Sequence, residues 1–204
     1  MIETRRLLLR PWRDTDLPHF AALNADVEVR RWWSAGTLSE ADSNAQANDL
    51  QGHIEDNGFG FWAVEAPGVS PFIGFVGIQN ESDDMPFAPA VEAGWRLARA
   101  YWGRGYAAEA AKAAFRDGFE RLGLDEIVAY AVEGNMPSRR VMERLGMRHD
   151  PHDDFDHPRR APDDPFKRHV LYRLRNSGWL AFRQDETSTG LRQVAGLDDD
   201  ARIG

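Results

Sequence analysis

The chain has 204 residues, carries a formal net charge of −8 at pH 7 and contains no cysteine. This length predicts one domain with a substantial core, and the acidic balance argues against a nucleic-acid partner. The missing thiols exclude disulfides and cysteine-bound zinc. The N-terminus lacks the apolar region of a signal peptide, and no apolar run approaches the ~20 residues that span a bilayer. We therefore expect a cytoplasmic protein with no membrane partner, either a monomer or a homodimer.

The first half of the chain predicts a strand, two helices and an antiparallel pair of strands. The motif Thr37-x-x-Glu40 is a capping box, which should open the second helix, and Gly58 should close it. Aromatic and β-branched residues on both sides of Pro67–Gly68 are typical of paired strands. The predicted elements are a strand at Arg5–Trp12, a helix from Asp14 or Thr15 to Asn24, a helix from Thr37 to Asp56, and strands at Phe59–Glu65 and Phe72–Gln79.

The second half predicts three strands and two helices. An apolar stripe at helical spacing marks a central helix between Gly105 and Gly123. The segment Ile127–Val132 is almost continuously apolar, as in a strand that is buried on both faces. The remaining elements are a strand at Val91–Leu97, a short helix that Asn135 caps and a last strand at His169–Leu174. This alternation predicts an α/β fold with a mixed sheet.

We expect one domain over residues 1–175 and a partly mobile extension over residues 176–204. The end of the extension contains Asp198–Asp200 and scattered small residues, which favour mobility. Trp179, Leu180 and Phe182 are large enough to pack back on the core or on a partner subunit.

A glycine-spaced turn after the strand at Val91–Leu97 is the most informative feature of the sequence. Gly103 and Gly105 precede an alanine-rich helix, whose first turn leaves backbone N–H groups without intrahelical partners. Small residues there allow close approach of a phosphate or diphosphate, and Arg104 adds a guanidinium. An ordinary glycine loop that caps a helix is the alternative. The spacing also formally matches a dinucleotide fingerprint, but its position in mid-chain argues against that interpretation.

A second motif follows the strand at Ile127–Val132. Asn135 is a good N-cap residue, and Pro137 lies in the first turn, where its missing N–H costs nothing. Gly146 is placed to end the helix. Capping of the helix is therefore one explanation for Asn135 and Ser138.

The two motifs together resemble the GNAT family of N-acetyltransferases. Trp102–Ala107 fits the family's acyl-CoA loop from the glycine onward, with Trp102 where Gln or Arg is usual. The amino-acid sequence of this segment is similar to that of the ribosomal-protein N-terminal acetyltransferase branch. The resemblance implies a mostly antiparallel mixed sheet flanked by helices, with acetyl-CoA as co-substrate. It implies that the cofactor is bound by Leu97, Arg99, Trp102, Gly103, Arg104, Gly105, Tyr106, Ala107, Ala108 and Asn135.

Acetyl transfer to an amine requires a group that accepts a proton from the amine. Glu92, in the strand before the glycine turn, is the first candidate for this base, and a structural ion pair with Arg96 is the alternative. Glu133 is the second candidate, and simple surface exposure would also explain it. Because no Tyr follows Asn135 before Tyr172, the family's tyrosine acid is in doubt, and Ser138 is the candidate donor to the leaving thiolate.

The acceptor side is predicted from aromatic and acidic residues. Trp32 and Trp33 are candidates for cation–π contact with an amine, although burial in the core is the alternative. The segment His149–Pro165 is a long irregular loop, and we expect Asp156 and His157 to cover the acceptor end. A metal at the histidines and aspartates of this loop is conceivable, but we expect none.

The sequence thus predicts an N-acetyltransferase that moves an acetyl group from acetyl-CoA to a primary amine in a ternary complex. The amine belongs to a small molecule or to a protein N-terminus. The alternative is a non-catalytic acyl-CoA-binding module, which need not keep Glu92 and Ser138.

Overall fold

The computed structural model describes residues 1–182, whose strands form a mixed, mostly antiparallel sheet. The sheet order is β1-β2-β3-β4-β5-β6-β9-β7, and β8 pairs with β9 outside this path. The strands are β1 (Ile2–Glu3), β2 (Leu8–Arg10), β3 (Phe61–Ala66), β4 (Ser70–Asn80), β5 (Val91–Leu97), β6 (Glu126–Val132), β7 (Arg148–His149), β8 (Phe155–Asp156) and β9 (Arg168–Arg175). This confirms the predicted fold class.

Within residues 1–175, five α-helices connect and flank these strands. They are α1 (Leu17–Ala25), α2 (Val27–Arg30), α3 (Glu40–Asn57), α4 (Tyr106–Glu120) and α5 (Met136–Arg144). The central helix α4 buries the apolar stripe that the sequence predicts, including Ala111, Phe115 and Phe119. Its packing against the sheet supplies stability that the helix alone would lack.

The parallel pair β5 and β6 positions the functional elements. These strands pair at Glu92 and Val128, close to the start of each, whereas β4 pairs with β5 from Gly74 and Leu97 to Asn80 and Val91. Beyond Glu92, β5 and β6 therefore part. Because parallel strands end at the same edge of a sheet, the segments that follow β5 and β6 lie at one edge.

The hydrophobic core extends beyond the predicted boundary of the domain at residue 175. Residues 176–182 are helical, and the Trp179 side chain is 1% exposed. Its ring stacks on Phe119 with centroids 5.7 Å apart and contacts Phe182 at 6.0 Å, whereas Leu180 is exposed. The predicted mobility of the extension concerns mainly residues 183–204, which lie outside the described residues.

Several predicted boundaries differ from the structure. The helix expected from Thr37 begins at Glu40, because the Ser39 hydroxyl, not that of Thr37, accepts the backbone N–H of Asp42. Gly58 ends this helix in a left-handed conformation, as predicted. The first strand is reduced to Leu8–Arg10, since a turn closed by the hydrogen bonds of Thr4 with Leu7 precedes it.

Candidate active site

The turn between β5 and α4 presents backbone donors to open space. Gly103 and Gly105 have φ angles of +72° and +76°, a conformation that favours glycine. No side chain caps α4, so the N–H groups of its first turn, Tyr106–Ala108, lack intrahelical partners. A Cβ added at Gly103 would meet nothing within 4 Å. The turn therefore has the donors and the space that a diphosphate requires.

Helix α5 begins where β6 ends, beside this turn. The Oδ1 atom of Asn135 accepts the backbone N–H of Ser138 at 3.3 Å, so the capping interpretation holds for the amide oxygen. Within residues 1–182, neither the amide nitrogen of Asn135 nor the hydroxyl of Ser138 has a hydrogen-bond partner. Both groups thus remain available to a ligand.

Two cavities meet at the point where β5 and β6 part. The loop cavity, of about 380 Å³, is lined by Gly103 and Gly105 on one side and by Pro137 and Val141 of α5. The strand cavity, of about 260 Å³, lies beside Glu92. Six residues line both cavities: Trp32, Trp33, Trp95, Arg96, Asn135 and Ser138. These shared walls make one cleft with two ends.

Glu92 projects into the strand cavity as a carboxylate with a raised affinity for protons. Burial, followed by the negative charge of nearby Glu81, raises the pKa of Glu92 to about 8. Gln79 donates from Nε2 to Oε1 of Glu92 at 3.0 Å, which only partly offsets the increase. The structure does not place Glu92 in an ion pair with Arg96, since the Arg96 guanidinium donates to Asn24 and Gln46 instead.

Glu81 and Tyr130 complete this polar group. The Oε2 atom of Glu81 is buried without a donor among the described residues, next to the Glu92 carboxylate. Burial and the negative charge of Glu81 oppose the ionisation of Glu92, which therefore holds its proton near neutral pH. Burial and the two carboxylates raise the pKa of Tyr130, which keeps its phenol protonated.

Buried arginines lie at the end of the strand cavity near Trp33. The side chains of Arg96 and Arg30 are buried, with 8% and 4% exposure, and both guanidiniums lie over the Trp33 ring at 4.5 and 4.9 Å. Within residues 1–182 neither arginine forms an ion pair. Burial, followed by the charge of Arg30, lowers the pKa of Arg96 to about 9. Arg160 also lines this cavity.

The loop at His149–Pro165 is partly ordered by pairing with β9, through β7 and β8. Phe155 packs in a small second core with Met85, Val128 and Leu171. His157 lines the strand cavity, and burial lowers its pKa. Asp156 lines neither cavity and instead pairs with Lys167 and Arg168 at 3.7 and 3.6 Å. Only one of the two predicted acceptor residues in this loop therefore reaches the cleft.

Most predicted cofactor residues border the loop cavity. Its lining includes Leu97, Trp102, Gly103, Gly105, Tyr106, Ala107, Ala108 and Asn135. Arg99 and Arg104 do not line it: Arg99 pairs with Asp26 at 3.5 Å, and Arg104 lies over the Tyr101 ring at 5.8 Å. Of the two candidate bases, Glu92 lies in the cleft, while Glu133 is exposed and lines neither cavity. The roles of these residues remain predictions.

Sequence reasoning missed four ionisable residues of the strand cavity: Arg96, which it named only as an ion-pair partner of Glu92, and Tyr130, Arg160 and His169. Tyr130 has the spacing of a strand residue on the same face as Val128, which is opposite Glu92, so its position follows from register alone. His169 is 4% exposed, and burial lowers its pKa to about 4. The Nδ1 atom of His169 lies 3.0 Å from the backbone carbonyl oxygen of Lys167. Because a carbonyl oxygen can only accept, Nδ1 of the neutral ring carries the hydrogen, and Nε2 is left as an acceptor.

Among residues 1–182, no three side chains of His, Asp or Glu are placed to hold a metal ion together. His149 instead contacts Asp154, with Nε2 at 2.7 Å from Oδ1, and His152 contacts Asp150. In the same part of the chain, no helix has the length and apolar character needed to cross a membrane.

Comparison with known proteins identifies the family. The model of the acetyltransferase (GNAT) domain matches residues 6–148, which is more than half of the chain. The uncharacterized N-acetyltransferase YnaD of Bacillus subtilis (strain 168) is 31% identical over 147 residues, covering 72% of this chain and 82% of YnaD. The FsC-acetyl coenzyme A-N(2)-transacetylase of Aspergillus fumigatus is 30% identical over 154 residues, covering 72% of this chain and 65% of that protein.

Solved structures agree with the fold. A GNAT-family acetyltransferase from Bacillus anthracis superposes with a TM-score of 0.72 at 25% identity and covers 86% of this chain and 98% of its own. Spermidine N-acetyltransferase from Vibrio cholerae, solved with CoA and spermine, has a TM-score of 0.67 at 19% identity and covers 87% of this chain and 99% of its own. At that identity the likeness concerns the fold alone.

This chain belongs to the GNAT acetyltransferase family. It is an enzyme, an acyltransferase of the N-acetyltransferase class, as the two sequence motifs predict. None of the relatives named here is a ribosomal-protein N-terminal acetyltransferase, so membership of that branch stays a prediction.

Proposed function

We propose that the protein transfers an acetyl group from acetyl-CoA to a primary amine, which attacks directly in a ternary complex. The observation that carries the proposal is the meeting of the two cavities at Asn135 and Ser138, with a carboxylate of raised pKa in one and unpaired backbone donors in the other. One cavity would hold the cofactor and the other the acceptor.

The residues present fit acetyl-CoA. The backbone donors of Tyr106–Ala108 would bind its diphosphate, and the free amide nitrogen of Asn135 would hold the pantetheine arm. When bound, acetyl-CoA supplies the reactive acetyl thioester.

The chain's own groups then manage protons and charge. A protonated alkyl amine has a pKa near 10 and cannot attack, so deprotonated Glu92 would accept the proton that the amine loses. The Ser138 hydroxyl would donate a proton to the departing thiolate. Backbone N–H groups on the edge of β5 that faces β6, beyond Glu92, where these two strands no longer pair, would stabilise the developing oxyanion.

The acceptor is proposed to be a small amine or a protein N-terminus, and the similarity of Trp102–Ala107 to the ribosomal-protein branch supports the latter. The cation–π role expected of Trp33 has a competitor, since the protein's own Arg30 and Arg96 already lie over its ring. Similarly, the guanidinium of Arg31 lies over the Trp32 ring, 5.0 Å from its centroid.

The substitution Gly105→Glu tests the cofactor site. A carboxylate at the start of α4 would occupy the place of the diphosphate and repel it, so calorimetry should detect no binding of acetyl-CoA. Gly123→Glu is the matched control, because Gly123 follows the other end of α4 with a similar φ of +69° against +76° for Gly105. Both variants carry the same backbone strain and charge. Equal affinity for acetyl-CoA in the two variants would remove the turn from the cofactor site.

A mass-spectrometric assay tests the reaction itself. Wild-type protein incubated with acetyl-CoA and a pool of amines and peptides should release CoA thiol and add one acetyl group to an acceptor. Thiol release with no acetylated product other than acetate would contradict transfer to an amine.

A further inference from the structure

Arg96 is a buried cation whose hydrogen bonds and charge are only partly satisfied. Both of its side-chain hydrogen bonds come from Nη1, which donates to Oδ1 of Asn24 at 2.8 Å and to Oε1 of Gln46 at 2.9 Å. The Nε atom is buried and has no partner among the described residues. Two neutral amides stabilise the guanidinium, but they do not neutralise it.

A second buried cation increases this imbalance. Arg30 lies over the same Trp33 ring, and its Nε donates to the carbonyl of Gly36 at 2.8 Å. The charge of Arg30 contributes to the lowered pKa of Arg96. Like charges that are buried together without a counter-ion are costly, and proteins usually pair them or place them where a ligand supplies the charge.

A third guanidinium, that of Arg160, lines the strand cavity together with Arg96, whereas Arg30 lies against Trp33 and does not line the cavity itself. Arg160 donates from Nη1 to the hydroxyl of Ser34. The same Nη1 forms a long ion pair with Asp164, 3.5 Å from its Oδ2 atom. Burial, followed by the charge of Arg160, lowers the pKa of Arg30 and of His157. Arg160 therefore adds to the positive potential that Arg96 and Arg30 create.

The other ionisable residues that line the strand cavity supply little negative charge to balance these cations. Glu92, whose pKa is raised to about 8, is largely protonated near neutral pH. His157 and His169 have lowered pKa values and are neutral there. The strand cavity is thus cationic at the end of β5 near Arg96 and holds its proton acceptor, Glu92, four residues earlier on the same strand face.

We propose that the strand cavity binds an acceptor that carries an anionic group, a carboxylate or a phosphate, in addition to its amine, and that Arg96 and Arg160 bind this anionic group. This inference rests on the proposed function, because it assigns the acceptor class to the same cleft. Arg96 retains unused donors in a planar fork, which suits the two oxygens of a carboxylate or phosphate. The amine end would face Glu92. Polycationic amines would be poor acceptors.

Binding without catalysis provides the first test. Wild-type protein, without acetyl-CoA, is titrated with succinate, with inorganic phosphate and with neutral succinamide, and tryptophan fluorescence and thermal unfolding are followed. We expect saturable binding of at least one of the two anions and none of succinamide. Arg96→Gln and Arg160→Gln should each weaken this binding about tenfold or more, the usual effect of a lost hydrogen bond to a charged group. Arg121→Gln removes the same charge at the exposed end of α4 and should leave binding unchanged.

Turnover with matched acceptors provides the second test and identifies the anion. Glycyl-phenylalanine is compared with its C-terminal amide, and phosphoethanolamine with ethanolamine, with spermine as a polycation. The acceptor with the anion should have the higher kcat/KM in at least one pair, and this preference should shrink about tenfold in Arg96→Gln and in Arg160→Gln. Arg160→Gln keeps the test decisive if Arg96→Gln does not fold.

The outcomes separate the two proposals. Anion binding that depends on Arg96 or Arg160, in a protein that acetylates no amine, would support the anion site and contradict the proposed function. Amine acetylation with no anion binding and no preference within either pair would leave the proposed function standing and overturn this inference. A loss of acetyl-CoA affinity in Arg96→Gln, with the acceptor preference unchanged, would also overturn it, since Arg96 would then serve the cofactor.

Discussion

The arginines Arg10 and Arg96 are both buried in this fold, yet their surroundings are opposite. Arg10, which is 1% exposed, forms a two-pronged ion pair with Asp16 at 2.7 and 2.8 Å and a further one with Glu65 at 2.9 Å. The hydrogen bonds that Arg10 donates to Asp16 and Glu65 raise the pKa of Arg10, although burial opposes them. Arg96 has neutral partners, and burial lowers its pKa to about 9.

This difference distinguishes a structural charge from a functional one. The corner formed by Arg10, Asp16 and Glu65 is complete, because every charge there has an opposite charge within hydrogen-bonding distance. The cleft instead keeps like charges together, with Glu81 beside Glu92 and Arg30 beside Arg96. Such perturbed groups in a cavity are typical of binding and catalytic sites.

The largest expected effect comes from the carboxylates of the cleft. Glu92→Gln should lower kcat by ~10²–10⁴ with little change in the affinity for acetyl-CoA, because the amine loses its proton acceptor. Steady-state kinetics and calorimetry measure the two quantities. Full activity at neutral pH would remove Glu92 from the mechanism and direct attention to exposed Glu133.

The same variant should gain stability at high pH. The pKa of Glu92 is raised from 4.5 to about 8, so the folded state binds this proton more tightly than the unfolded state. Its contribution to stability is complete below pH 4.5 and is lost as the pH rises through about 8. Glu92→Gln has no such loss, so its melting temperature relative to the wild type should increase between these values. If the difference in melting temperature between Glu92→Gln and the wild type did not change with pH, the pKa of Glu92 would not be raised in the folded state.

The next effect concerns stability alone and compares the two arginines directly. Arg10→Met leaves the Asp16 carboxylate, whose side chain is 2% exposed, buried without its partner. We expect a loss of ~3–5 kcal/mol in the free energy of unfolding, measured by urea denaturation. Arg96→Met leaves only amides unpaired and should lose ~1–3 kcal/mol.

A double variant provides the control for this comparison. Asp16→Leu combined with Arg10→Met removes both charges, and it should recover much of the stability that Arg10→Met loses. If Arg96→Met were as destabilising as Arg10→Met, the cleft arginine would have to be regarded as structural too.

The sequence predicts the local features of the site well. The glycines of the turn before α4 and the cap at Asn135 are recognisable, because they are set by backbone conformation within a few residues. Glu92 is recognisable as the one carboxylate in the mainly apolar strand β5. In each case the physical cause lies within one turn or one strand.

What the sequence misses depends on contacts between distant segments. Arg160, in an irregular loop, reaches the cleft because this loop pairs with β9 through β8, and Glu81 meets Glu92 only through the register of β4 and β5. Trp33 contacts Arg96 across 63 residues, so its role as a platform for the protein's own cations has no local signal. Asp156 does not reach the cleft for a similar reason, since Lys167 and Arg168, at the start of β9, pair with it.

The smallest expected effect tests whether the like charges of the cleft are coupled. Glu81→Gln removes the negative charge that helps to raise the pKa of Glu92. Less energy is then needed to ionise Glu92, so the rise of kcat/KM with pH should move toward lower pH by about one unit. With one acceptor used throughout, titration of the amine itself contributes equally to every variant and cancels in the comparison.

Two further variants make this shift specific. Asp83→Asn removes an equal charge from an exposed position two residues away and should leave the profile unchanged. In Glu92→Gln, the additional Glu81→Gln change should no longer move the profile, because the group whose pKa it alters is absent. A shift that persists without Glu92 would mean that Glu81 acts through Tyr130 or the histidines. The uncompensated charges of the cleft would then be neighbours without being a coupled pair.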